Sequence, residues 1–160
     1  MGYQIDQSGK IERTNKTTVV ALANDNLKSI KITAVEKQRL LAALKEIEYP
    51  KTNYVYRVFA TLIFILTRNE KLETLEIDKE YPGHESVIKD MFIHLYSHYN
   101  LKMPEIAFTL VGKKSSAHKI ALPTFQAKLK PTVIVRAEEV LKMFYPNKKG
   151  RRSRSSRDNP

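Results

Sequence analysis

The chain contains no cysteine, which excludes disulfides, thiolate nucleophiles and cysteine-ligated zinc or iron–sulfur sites. Long apolar runs are also missing. The most apolar stretch, Val58-Phe59-Ala60-Thr61-Leu62-Ile63-Phe64-Ile65-Leu66, falls well short of the ~20 residues that span a bilayer, so it predicts a buried helix and no membrane partner. The chain opens on polar, alternating residues rather than a positive-then-apolar leader, so no signal peptide is expected. These absences are compatible with a cytoplasmic or nucleoid-associated protein. There is no Walker A sequence, no GxGxxG and no GxSxG, which argues against P-loop hydrolysis, dinucleotide oxidoreduction and serine hydrolysis. His94 and His98 stand at i, i+4, but without an HExxH or a third ligand they predict no zinc site. No internal repeat is found.

Basic charge is abundant. With 28 Lys+Arg against 17 Asp+Glu, the 160 residues carry a net charge of +11 and a pI of about 9.8. Taking away the six basic residues and the one acid of 147–160 leaves 22 and 16, so the remainder is still basic. Such an excess favours polyanions, nucleic acid before acidic membrane. Residues 1–146 are expected to form one domain. Residues 147–160, low-complexity, basic and Ser-rich, are expected to be a disordered tail.

The opening stretch GYQIDQSGKIE alternates with period 2 through Tyr3 and Ile5, turns at Ser8-Gly9 and resumes at Lys10-Ile11-Glu12, as a strand does. Strands are also expected over 17–24 and 27–33, giving a β-meander. Thr33 with Glu36 forms a capping-box signature for a helix to about Glu48. Tyr49-Pro50 interrupts it, and a mostly apolar helix follows over about 52–68. A strand at 71–78, a helix at about 85–99 and a strand at 105–112 come next. The last is an apolar run typical of a strand covered on both faces. Ser115 or Ser116 can cap a helix that Pro123 disturbs. Thr132–Val135 has the composition of a short strand, and 136–145 that of a final helix.

Asp6 lies inside the first strand, where a carboxylate is unfavourable by propensity and desolvation. It either ends the strand and caps the turn, or it has a partner such as a metal ion. The order βββ, α(α), β, α, β, α predicts a mixed five-stranded α/β sheet with later strands parallel to the first and helices on both faces. Together with Asp6 in YQIDQSG and Asp78 in LETLEIDKE, it resembles the ribonuclease H-like nuclease superfamily, which includes Holliday-junction resolvases, over roughly residues 1–128. The resemblance implies that Asp6 and Asp78 bind metal, that a further acid comes from Glu36, Glu48, Glu76 or Glu80, and that the last helix contributes His118. It also shows a departure: no carboxylate lies between Glu105 and Glu138, so a four-carboxylate site is excluded. The bland readings are a turn role for Asp78 and a packing role for His118.

The chemistry fits the residue types. Mg²⁺ and Mn²⁺ prefer carboxylate oxygens, and metal ions can activate a water and stabilise the leaving oxygen of a phosphoryl displacement. Lys113-Lys114-Ser115-Ser116, with Lys119, places cations before a helix N-terminus that attracts anions; alternatively it is an ordinary solvated loop. The tail residues Arg151, Arg152 and Arg154 would add salt-sensitive affinity. The expectation is a metal-dependent nuclease acting on DNA or RNA, with Asp6, Asp78 and His118 catalytic. The alternatives are a non-catalytic nucleic-acid-binding protein of the same fold and an interaction module with a basic tail. Junction cutting would imply a symmetric homodimer.

Overall fold

In a computed structural model, residues 2–23, 27–47, 53–110 and 115–144 are described. Strands β1 (Gly2–Ser8), β2 (Thr18–Ala23) and β3 (Leu27–Ile32) form the antiparallel meander. Helices α1 (Ala34–Ile47) and α2 (Tyr54–Thr67) follow. Then come β4 (Thr74–Asp78), α3 (Glu85–His98), β5 (Glu105–Thr109), α4 (Ser116–Phe125), β6 (Val133–Ile134) and α5 (Ala137–Phe144). β4 pairs parallel to β1, β5 parallel to β4 and β6 parallel to β3, giving the order β5-β4-β1-β2-β3-β6.

The sheet is α/β and mixed, as expected, but it has six strands rather than five. The added edge is the two-residue β6. It is fastened by a reciprocal pair of contacts, Ser29 N–H to Thr132 Oγ1 at 3.0 Å and Thr132 N–H to Ser29 Oγ at 3.3 Å. The 17–24 run is buried at every position of β2, as a central strand between two helical layers must be. On one face, Ile5, Val20, Leu22, Ile30, Ile32, Leu75 and Ile77 join a core with Phe59, Ile63, Phe64 and Phe92 of α2 and α3. α1 and α5 pack on the same layer. On the other face, α4 lies across β1, β2 and β3, and Ala117 and Ala121, fully buried, are small enough to let it approach closely.

Four local expectations need correction. Lys10-Ile11-Glu12 is a turn, because Gly9 takes φ +77° and Arg13 N–H closes on Lys10 C=O. β5 is an edge strand, half-buried or exposed at each position, because among the described residues no strand lies beyond it and α4 packs on β1 to β3 instead. Pro123 does not end α4: it sits in the last turn, where Gln126 N–H and Lys128 N–H still reach Leu122 C=O and Pro123 C=O. The capping box forms only half, with Glu36 N–H on Thr33 Oγ1 at 3.3 Å. The Glu36 carboxylate instead accepts from Ala137 N–H at 3.2 Å, holding the start of α5. No helix among the described residues is long and apolar enough to cross a membrane.

Candidate metal centre

The register of the two central parallel strands builds the site. Ile5 pairs with Ile77 on the core face, so the next residues, Asp6 and Asp78, stand side by side on the α4 face, at the C-terminal ends where open α/β sheets hold ligands. After Asp78 the chain folds sharply: Glu80 N–H donates to Asp78 C=O at 2.8 Å, an i→i+2 closure of the kind found at strand ends. This returns the Glu80 carboxyl to Asp78. Carboxylate oxygens of Asp6, Asp78 and Glu80 lie within 4.8 Å of one another. α4 covers β1 to β3, while the β4–β5 side of the same face is left less covered, so the cluster sits at the margin of a helix rather than under it.

α4 supplies the fourth group. Ser115 Oγ caps the helix by accepting from His118 N–H at 3.0 Å, which fixes the backbone of His118 in the first turn. Its Nδ1 lies 2.8 Å from Asp6 Oδ2. His118 is therefore joined to the cluster through Asp6 and stands outside the group of mutually close ligand atoms. Ser115, Ser116 and Lys119 occupy the N-terminal turn of α4, with Ser116 and Lys119 exposed.

The electrostatics are those of crowded acids. Burial pushes the Asp6 carboxyl above its ordinary value and Asp78 adds to this, while the His118 and Gln7 hydrogen bonds pull it back. Glu80 is pushed up to about 8, first by burial, then by its hydrogen bond with Asp78 and the charges of Asp78 and Asp6; Lys10 opposes this. Buried carboxyls that are raised in this way, first by desolvation and then by one another's charge, are groups that a divalent cation would suit. Three carboxylates are a hard-oxygen donor set of the kind that Mg²⁺, Mn²⁺ and Ca²⁺ prefer.

Of the residues singled out from the sequence, Asp6, Asp78 and Glu80 converge and His118 joins them. Glu76 is on the same face but two residues back along β4, opposite Gln4 and Ala107, and is not in the cluster. Glu36 is committed to α5. Glu48, Lys113, Lys114, Arg151, Arg152 and Arg154 lie outside the described residues, as does the 147–160 tail. Sequence reading missed Lys10, whose Nζ donates to Glu80 C=O at 3.3 Å. It also missed Tyr81, whose buried hydroxyl joins the Gln7 side chain to Ile11 N–H. In the sequence, Tyr81 stands at the head of Tyr81-Pro82-Gly83 and carries only a turn signal.

No protein-family model matches the chain, and neither does any curated protein.

Proposed function

We propose that the protein is a metal-dependent nuclease of ribonuclease H-like type that hydrolyses phosphodiester bonds in DNA or RNA. The observation that carries this is the convergence of Asp6, Asp78 and Glu80 within 4.8 Å at the ends of adjacent parallel strands, with His118 on Asp6. The meander followed by strands parallel to β1 supports it as the arrangement the resemblance implies. So does the net charge of +11.

In this reading Asp6, Asp78 and Glu80 hold Mg²⁺ or Mn²⁺. When bound, the metal supplies activation of the attacking water and neutralisation of phosphate charge. Asp6 both binds the metal and orients His118. With Nδ1 turned to Asp6, the Nε2 of His118 is the ring atom that carries a proton to or from the reacting phosphate oxygens. The α4 N-terminus, with Ser115, Ser116 and Lys119, receives a substrate phosphate. Lys113 and Lys114, and Arg151, Arg152 and Arg154 of the tail, add backbone contacts.

The test is cleavage of labelled duplexes, RNA–DNA hybrids, single strands and four-way junctions with Mg²⁺ or Mn²⁺. The expected result is cutting of one substrate class that disappears in Asp6→Asn while binding is kept. Binding without cutting, unchanged by Asp6→Asn, would replace this reading with a non-catalytic binding protein.

A further inference from the structure

We propose that the β1–β2 turn, through Lys10, Arg13 and Lys16, is a rail for the sugar-phosphate backbone of the nucleic acid brought to the acidic cluster. This deepens the nuclease reading and rests on it.

The turn is built as two linked steps. Arg13 N–H donates to Lys10 C=O at 3.1 Å, and Lys16 N–H donates to Arg13 C=O at 3.2 Å. Each i→i+3 closure brings its end Cα atoms within about 7 Å, so a cation recurs at the start, middle and end of the pair. All three side chains are exposed. Two closures of this kind place the Lys10 and Lys16 Cα atoms at most about 14 Å apart. The inner end is at the site itself, because Lys10 Nζ reaches the Glu80 carbonyl at 3.3 Å. The rail thus leads outward from a candidate metal ligand.

Its backbone is held from below. The fully buried Lys37 of α1 donates to Lys10 C=O at 3.2 Å, Arg13 C=O at 2.7 Å and Thr18 Oγ1 at 3.0 Å. Gln38 Nε2 holds Thr14 C=O at 2.9 Å, and Ile11 N–H holds the Tyr81 hydroxyl at 3.3 Å. A cation ridge whose backbone is held in this way is preorganised and loses less on binding. Glu12 is the one acid in the segment, and its charge acts on Lys37. The occupant is a polyanion and not a membrane, since the only large apolar side chain of 10–16, Ile11, is fully buried and leaves the ridge no apolar anchor.

The experiment compares the full-length wild type with an Arg13→Gln/Lys16→Gln double variant, which leaves Lys10 on Glu80. Binding of fluorescein-labelled single-stranded and duplex DNA and RNA is followed across a KCl series, with Ca²⁺ replacing Mg²⁺. The expected loss of two phosphate contacts makes the slope of log Kobs against log[KCl] shallower by about 1.4 for single strands or 1.8 for duplex DNA. Mn²⁺ titrations of the two proteins should agree. Equal slopes and affinities would overturn the rail, as would a wild type that binds phosphatidylserine vesicles and no nucleic acid. The nuclease reading fails separately: a wild type that neither binds Mn²⁺ nor cuts, yet shows the slope difference, keeps the rail and loses the enzyme.

Discussion

His118 Nδ1 lies 2.8 Å from Asp6 Oδ2, although 112 positions separate the two residues in the chain. The contact joins the N-terminal turn of α4 to the C-terminal half of β1, and it gives His118 its influence on the cluster through Asp6 rather than as one of the close ligand atoms. Removing it should therefore act as loss of an outer partner does, by roughly 10–100-fold in metal affinity or activity. The expected result for His118→Ala is a Mn²⁺ affinity, read by calorimetry, weakened within that range but less than in Asp6→Asn. If His118→Ala weakens Mn²⁺ as much as Asp6→Asn, His118 is a direct ligand.

Glu80 gives the cluster a pH dependence of definite sign. Its carboxyl is raised from 4.5 to about 8 in the folded protein, so between those values the native state holds a proton that the unfolded chain releases. The stability this contributes is complete below pH 4.5 and is lost as pH rises through 8. Metal binding must displace the same proton. Mn²⁺ affinity should rise with pH up to about 8 and level off above it, and Glu80→Gln should flatten that profile. Calorimetry at pH 6, 7, 8 and 9 measures both.

Much of this arrangement was legible in the sequence because it depends on period and order. The β-branched run of β2, the helical spacing of α1 and α3 and the acids at strand ends are local signals. Asp6 was visible because a carboxylate in a strand breaks the local rule. What was hidden depends on distant partners. Thr132–Val135 has strand composition, but only the Ser29–Thr132 pairing makes it a sixth strand. Nothing local tells Glu80 from Glu76; the i→i+2 closure after Asp78 decides between them. Lys10 and Lys37 read as two more surface cations, until folding buries one and sets the other over Glu80.

Lys37 makes a second pH prediction, of opposite sign. Burial lowers its ammonium from 10.5 to about 8. Between pH 8 and 10.5 the unfolded chain therefore holds a proton that the native state has released, and stability from this group rises with pH across that window. Lys37→Met abolishes the rise. It also removes one of two donors from Lys10 C=O and Arg13 C=O, which keep Arg13 N–H and Lys16 N–H, and takes the ammonium from the buried Thr18 Oγ1, at about 1–3 kcal/mol for a buried unsatisfied group. Urea unfolding at pH 7 and pH 10 should show the variant less stable at both, with the gap wider at pH 10.

Two residues with positive φ bear on the C-terminal end of α4, and they should respond to substitution in opposite directions. Gly9, at φ +77°, has no room for a side chain: a Cβ would run into the carbonyl of Thr17 and come within 2.6 Å of the Phe125 ring. Gly9→Ala should destabilise by about 2 kcal/mol or more, and it should disturb the end of α4 that abuts β1. Ala127, at φ +60°, follows the α4 C-cap, where Lys128 N–H reaches Pro123 C=O at 2.8 Å and Ala127 N–H reaches Thr124 C=O at 3.1 Å. That is a Schellman closure with alanine where glycine is usual. Ala127→Gly relieves the left-handed strain, worth ~1 kcal/mol, against a smaller entropic cost in the unfolded chain. The expected outcome is a Tm raised by a few degrees, with Mn²⁺ affinity unchanged. A fall in Tm would mean that the alanine side chain makes packing contacts that outweigh its strain.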